Sequence, residues 1–539
     1  MKKYLFILAF VGVLVSSCAD KLNITPPSQI TEEQIKELLA SGDDATIKQV
    51  LGGLADALPA YFHVSAIAGT GSADGRYYTN QGLDCMRNLE GNDIVFGTKT
   101  VSNAFGYAEY NFNDFTSVAV DKNPPYWYYC WNNITTANKI MEYLSDDIVG
   151  ENKVLKEYKA RALTLRAFSY NYLMENYQDA YLQGGKEKLG LMLYDKYSPT
   201  QAYKARSTAE ETYDFIKADI TTAVKLFNEA GTGITAITTD IDLAVADFIL
   251  ARVALWTGDW TTVVTACNEI MGTYSSLMTE SVYVAQNVGG TNLDTPAKYL
   301  ADNSGFLNIA VNPEVILGWP KANSVKAHNA WMNSYGGGSG GVSGFYQCID
   351  NQLYEKLAED DYRKDNFLAA DYGDFSYPPN AVKSWIPKYA NIKFANTHGV
   401  GSATATTNTA GDVADYYMRT SEVLLMKAEA QAQSGDSPAA KTTLNTLLSA
   451  RTRTGATPMT CDTYPAMAGM TALQMVQLQS RIELWGEGGR EFYNNKRWNI
   501  PVDRTNSANH VVKTTYPVSG MTLQIPENEM NNNPLCKQN

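Results

Sequence analysis

Glu483 and Glu487 stand one helical turn apart in RIELWGEGGREFYNNKRW, residues 481–498, with Arg481 and Arg490 beside them. A pair of carboxylates is the acid/base equipment of a glycosidase. Flanking arginines at helical spacing point elsewhere, to salt bridges on one helix that fix its packing. Arg419 with Glu422, and Glu429 near Lys427, read the same way. No catalytic residue is assigned, and the chain is not read as an enzyme. Metal chemistry has as little support: His63, His328, His398 and His510 are far apart and form no H-E-x-x-H motif. The acidic run Glu359-Asp360-Asp361 offers at most a structural cation, without EF-hand spacing. Gly336-Gly337-Gly338 and Gly340-Gly341 lack the Lys-Ser/Thr of a phosphate loop. No cofactor is expected.

Cysteine chemistry is sharper. Met1-Lys2-Lys3 is a positive start, Tyr4 to Val15 is a twelve-residue apolar run, and Val15-Ser16-Ser17-Cys18 places small residues just before a thiol. This pattern reads as a signal peptide, residues 1–17, ending in a lipobox. Cys18 is then diacylated on sulfur, becomes the new first residue and is acylated again on its amine. Several acyl chains hold a domain at a membrane almost permanently, each buried methylene contributing about 0.8 kcal/mol. The other cysteines, at 85, 130, 267, 348, 461 and 536, are scattered. They read as buried small hydrophobes or exposed thiols, with at most one or two bridges. Removing residues 1–17 takes Lys2 and Lys3 with it, so the formal charge moves from -13 to -15. Such a surface repels phosphate backbones, which argues against nucleic acid and anionic lipid as ligands.

Aromatic rings are the remaining chemical resource. The chain has 34 tyrosines against 17 phenylalanines and 9 tryptophans, a bias toward rings at a boundary with wet hydroxyls. A pyranose has a face of C–H groups and an edge of hydroxyls, which suits a ring below and Asn, Asp, Gln or Arg at the rim.

Helices must carry these groups. Thr31 with Gln34 forms a capping-box pattern, and Ser207 with Glu210 another. Helices are expected over roughly 46–64, 125–145 and 151–177, and from 207 to about 227. DIDLAVADFILARVALWTGDWTTVVTACNEIM breaks at Gly258-Asp259, and SEVLLMKAEAQAQSGDSPAAKTTLNTLLSARTR breaks at Gly435-Asp436. Helix, tight G-D turn, helix with an alanine-rich seam is similar to a tetratricopeptide hairpin. The hairpins are expected to form a mostly α core with long irregular stretches around 95–124, 282–346 and 371–414. Stretches of that length are usually functional or disordered.

Seven blocks in order resemble the SusD/RagB-like outer-membrane lipoproteins. They are YWYYCWNNITTANKIM, ARALTLRAFSYNYLMENYQDA, ILARVALWTGDW, NPEVILGW, DYYMRTSEVLLMKAEA, RIELWGEGGREFYNNKRW and IPENEMNNNPLCKQN. The lipobox and Leu22 to Pro26 precede them. The resemblance implies a signal peptide at 1–17, a lipid-anchored tether at 18–30 and one SusD-like domain at 31–539. It implies a binding protein at the outer membrane, facing outside the cell. Such a protein captures a glycan or oligosaccharide, or alternatively a peptide, and delivers it to a TonB-dependent, SusC-like transporter. By the same resemblance the binding surface comes from the loop after the early helices and the loop after NPEVI. That points to Phe105, Tyr107 and Tyr110, and to Trp319, Trp331, Tyr335 and Tyr346. Tyr77 and Tyr78, with Asp74 and Arg76, complete the candidate set. For each ring the plainer reading is hydrophobic plugging of an irregular loop.

Overall fold

The structure, a computed structural model, describes residues 31–63, 80–96, 110–115, 123–284, 304–320, 347–370, 372–376, 383–386, 388–394 and 414–539. The lipobox and tether lie outside these residues. Capping chemistry sets the first helix, α1, Glu32–Ser41. The Thr31 hydroxyl accepts from the Gln34 amide at 3.2 Å, and the Gln34 side chain accepts from the Thr31 amide at 2.9 Å. The stretch 46–64, expected as one helix, is instead a chain of short turns: Asp44–Ile47, a π turn at Lys48–Gly52, then a 3-10 turn at Leu58–Phe62. Gly52-Gly53 weakens any helix there, and Pro59 lacks the amide that a continuing helix needs.

Next come α2 (Asn80–Leu89), β1 (Ile94–Phe96), α3 (Asn123–Met141) and α4 (Lys153–Tyr177). They are followed by α5 (Ala209–Ala230), α6 (Leu243–Thr257) and α7 (Trp260–Thr273). The capping box of α5 is Thr208 with Glu211, one residue beyond the expected Ser207–Glu210 pair. Almost every residue of α4 from Leu155 onward is buried, so it is the axis on which α3, α5 and α6 pack. Its Arg166 is neutralised inside the bundle by Asp219, at 2.6 and 2.7 Å.

The second half contains β2 (Val315–Trp319), β3 (Gln347–Ile349), β4 (Tyr372–Ser376), β5 (Lys383–Ile386) and β6 (Asp415–Arg419). Then follow α8 (Thr420–Gln433), α9 (Ser437–Ala450), α10 (Ala472–Glu483), α11 (Arg490–Trp498), β7 (Val502–Asp503) and β8 (Thr515–Tyr516). Among the described residues the strands form four antiparallel pairs: β1–β3, β2–β6, β4–β5 and β7–β8.

Both G-D turns form as the sequence suggests. Gly258 and Gly435 take left-handed φ values of 79° and 89°, and the following aspartates cap α7 and α9 by accepting from Thr262 N and Ala439 N. Each helix then lies against the next, α5 on α6, α6 on α7, α7 on α8 and α8 on α9. The result is a mostly helical body of tetratricopeptide-like hairpins. Two apolar clusters fill it. One gathers α3 to α7, and the other gathers α8 to α10 with β1 and β3. The β2–β6 ladder lies at their boundary, Ile316, Leu317 and Met418 joining the first cluster, Val315 and Tyr416 the second. Cys130, Cys267, Cys461 and Cys536 are buried free thiols, and Cys348 is buried too. Among the described residues no helix is long and apolar enough to cross a membrane.

Candidate ligand-binding site

Trp319 closes β2 and pairs in register with Asp415, the first residue of β6. A Cβ at Gly318 would sit 2.9 Å from the Asp415 carbonyl and from the Tyr416 Cβ, so the close strand approach demands glycine. Beside it the half-buried Trp319 indole lies flat on the His63 imidazole, with centroids 4.7 Å apart and planes 6° from parallel. Tyr417 meets the indole edge-on at 5.7 Å. The His63 Nδ1 is 3.2 Å from the Tyr417 hydroxyl and 3.3 Å from an Asp415 carboxylate oxygen. Imidazole, indole and phenol thus form one platform of rings fixed by hydrogen bonding.

The platform is also where several segments begin or end. Segment 64–79 starts after His63, 321–346 starts just after Trp319-Pro320, and 395–413 returns immediately before Ala414 and Asp415. The far end of 321–346 enters β3 at Gln347, which pairs with Phe96, and Phe96 precedes 97–109. Each of these two strand pairs therefore joins its own flanks, β2–β6 those of 321–346 and 395–413, and β1–β3 those of 97–109 and 321–346.

Beneath the platform lies a buried ionic network. Arg419, at the other end of β6, donates to Glu314 at 2.7 Å, Glu483 at 2.8 Å and Glu487 at 2.7 and 2.8 Å. Arg451 donates to Glu314 at 2.6 Å and to Glu483 at 2.8 Å, and Arg363 reaches Glu483 at 3.0 Å. Lys393 completes it on Glu487 at 2.6 Å. Burial pushes the Glu483 carboxyl up, but the Arg451 and Arg419 charges prevail and hold it well below the usual carboxylate range. Burial brings the Lys393 amine down to about 8 against the pull of Glu487.

These pairs confirm a structural role for the carboxylates and correct how it arises. Glu483 and Glu487 do not share a helix: α10 ends at Glu483, and Gly486, Gly488 and Gly489 turn the chain with φ of 73°, 54° and 64°. Their partners come from other elements. Likewise Arg481 pairs with Asp93 at 3.0 Å, Glu422 with Arg252 at 2.9 Å, and Glu429 with Arg497 at 2.8 Å. A cavity of about 40 Å³, large enough for water, borders the network at Arg419 and Glu487 and reaches Tyr417; Phe62, Asp84, Glu422 and Arg490 are also among its walls. Asp84 accepts from the Tyr172 hydroxyl at 2.8 Å, and burial raises its carboxyl to about 7 despite the Arg490 charge.

Of the sequence candidates, Trp319 is the one the structure sets on the platform. Tyr110 is a correction. It is fully buried, with its hydroxyl on His510 and the Arg504 guanidinium 4.1 Å from its ring centroid. Burial pushes its hydroxyl up to about 12 and brings His510 down to about 3. The neighbouring Phe112 stacks on Tyr516 of β8 at 4.0 Å, so the end of this stretch plugs the C-terminal block instead of facing a ligand. Asp74, Arg76, Tyr77, Tyr78, Phe105, Tyr107, Trp331, Tyr335 and Tyr346 lie outside the described residues. Of the acidic run, Asp361 is taken up by Arg363 at 2.7 Å and by the Tyr464 hydroxyl at 3.0 Å, while Glu359 meets Lys364. Among the described residues no group of three or more His, Cys, Asp or Glu could hold a metal ion.

Sequence reasoning missed His63, Tyr417 and Asp415. Tyr417 was within reach: strand alternation in DYYMR puts it on the face opposite the buried Tyr416. His63 had no local signal, because its neighbours in space are more than 250 positions away in the chain.

Comparison with known proteins follows the same outline. Residues 272–539 match a family model described as the SusD family, and residues 84–254 match one described as starch-binding associating with outer membrane. No curated protein matches the sequence. A solved SusD-like carbohydrate binding protein from Bacteroides vulgatus is 20% identical, with 91% of this chain and 97% of that one covered at a TM-score of 0.68. A SusD superfamily protein from Bacteroides thetaiotaomicron is 17% identical, with 91% and 99% covered and a TM-score of 0.65. Surface glycan-binding protein A from the same organism is 14% identical, with 90% and 96% covered and a TM-score of 0.59. At such identities the structural matches speak for the fold.

Proposed function

The chain belongs to the SusD/RagB family, and from that premise we propose that it is a lipid-anchored protein of the outer membrane, facing outward. It captures a glycan or oligosaccharide and hands it to a TonB-dependent transporter. The observation that carries this reading is the Trp319–His63–Tyr417 platform, beside which segments 64–79 and 321–346 begin. Segments 64–79, 97–109 and 321–346, which bear Tyr77, Tyr78, Phe105, Tyr107, Trp331, Tyr335 and Tyr346, all start or finish on the two strand pairs or beside that ring stack. Rings supply the flat contact, and Asp74 and Arg76 supply rim polarity. The family models support the assignment: one is described as starch-binding and associating with the outer membrane. Anchoring through Cys18 keeps the domain beside its transporter and raises the local ligand concentration there.

The protein binds without catalysing. Glu483 and Glu487, the carboxylate pair that invites a hydrolase reading, are committed to arginine and lysine partners, and Glu483 stays ionised. The deciding experiment is calorimetric titration of mature protein against glycan and peptide panels. A glycan should bind and be released unchanged, and Trp331→Ala and Trp319→Ala should each weaken it by about 1–3 kcal/mol. Binding confined to peptides, or glycan cleavage abolished by replacing one carboxylate, would replace this reading.

A further inference from the structure

The wall of α3 and the segment 194–203 enclose a second aromatic groove that shares no lining residue with the Trp319 platform or the cavity beneath it. Its volume is about 260 Å³, several times that of the cavity below the platform. Trp131, Tyr194, Tyr197 and Tyr203 provide the rings, and Gln201 and Asn138 sit among them. We propose that this groove is a binding site for a neutral saccharide, one ring or a short oligomer. The proposal goes beyond the capture site at Trp319 and does not rest on it.

Three observations carry it. The rings are held in place before any ligand arrives. The Tyr194 amide donates to the Tyr170 hydroxyl at 2.8 Å, and its carbonyl accepts from Asn138 at 2.9 Å. Lys139 lies 4.9 Å from the centre of the Tyr197 ring, and Lys204 lies 5.3 Å from that of Tyr194. Pre-set tyrosines offer wide contact at low entropic cost. Tyr203, more than half exposed, leaves apolar ring surface to the solvent that a sugar's C–H face would cover.

The polar equipment suits hydroxyls instead of charge. Among the lining residues Lys196 is the cation and Glu529 the anion, Lys139 and Lys204 lie over the Tyr197 and Tyr194 rings, and Thr135, Ser198 and Gln201 add neutral donors and acceptors. The Trp131 indole nitrogen is buried and has no hydrogen-bond partner among the described residues, so what this ring gives the groove is apolar surface. An anionic ligand would face both Glu529 and the acidic chain as a whole, and a long apolar one would leave these polar groups unpaired.

The test reads the groove itself. Ile134 and Thr135 line it and carry methyl groups visible in deuterated, methyl-labelled protein. Maltose, cellobiose, lactose and mannobiose are titrated into the millimolar range. At least one should shift both methyl signals saturably. Tyr197→Ala with Tyr203→Ala should weaken that response about tenfold or more, while Trp319→Ala leaves it unchanged. Thermal melting of the double variant verifies its fold, and Gln201→Ala gives an independent reading at a single polar contact. Methyl signals unmoved by all four sugars, or a response that survives the double variant, would overturn the proposal. So would a response lost with Trp319→Ala, because the signal would then belong to the platform.

Discussion

Arg419 touches three carboxylates that lie 105, 64 and 68 positions away in the chain, and shares their charge compensation with Arg451, Arg363 and Lys393. Removing one member of a buried ionic set leaves the others charged in a poor solvent, which typically costs about 3–5 kcal/mol. Arg419→Met should lower stability by that order in urea denaturation; a loss near zero would mean that water already reaches the network. Asp84 tests the opposite sign. Its carboxyl keeps its proton up to about 7 in the folded protein but only to about 3.8 when unfolded, so its contribution to stability declines as pH rises through that window. Asp84→Asn should therefore stabilise the protein at pH 8 relative to pH 4, by an increment on the order of a few kcal/mol. An increment independent of pH would show that Asp84 is ionised inside the fold. Residue types announced the charges, and spacing suggested that they were structural. Their partners were not legible, since Glu483, Arg451, Arg363 and Glu314 meet only once the strands and helices have docked.

Elements obeyed local chemistry wherever that chemistry was strong. Thr31 capped α1 and the G-D pairs turned their hairpins, whereas the helix expected over 46–64 gave way at Gly52-Gly53 and Pro59. At α5 the box expected at Ser207 with Glu210 forms one residue later, as Thr208 with Glu211. Thr208→Ala should thus cost about 1 kcal/mol while Ser207→Ala costs little, as thermal melts of the two variants would show. The turn before α11 is stricter. Gly489 has φ of 64°, and a Cβ there would come within 2.5 Å of the Arg87 Cβ on α2. Gly489→Ala must strain its own backbone and push α2 away, which should cost about 2 kcal/mol or more. Hydrogen exchange in α2 should rise with it; an unchanged α2 would mean that the contact yields without consequence.

For the whole molecule, the sequence carried the helical class and the hairpins, because they follow from periodicity and turn residues repeated along the chain. The platform was legible only in part: Trp319 stands in a recognisable strand, but His63 and Asp415 acquire meaning through tertiary docking alone. The C-terminal stretch shows how far such docking reaches. Met521, Leu523, Ile525 and Cys536 enter the first apolar cluster, and the Leu523 amide donates to the Asn176 carbonyl at 2.8 Å. Ending the chain at residue 520 should remove those contacts from α4 and lower the melting temperature by several degrees. An unaltered melting curve would assign the stretch to the periphery. The Glu314–Arg363–Lys393–Arg419–Arg451–Glu483–Glu487 network has a consequence in time as well as in space. A chain threading out of a translocation pore from its N-terminus has Glu314 and Arg419 early but cannot complete the network until positions 483 and 487 have emerged. The half built on β2 and β6 therefore has every electrostatic reason to wait, and the order of emergence becomes a safeguard against closing too early.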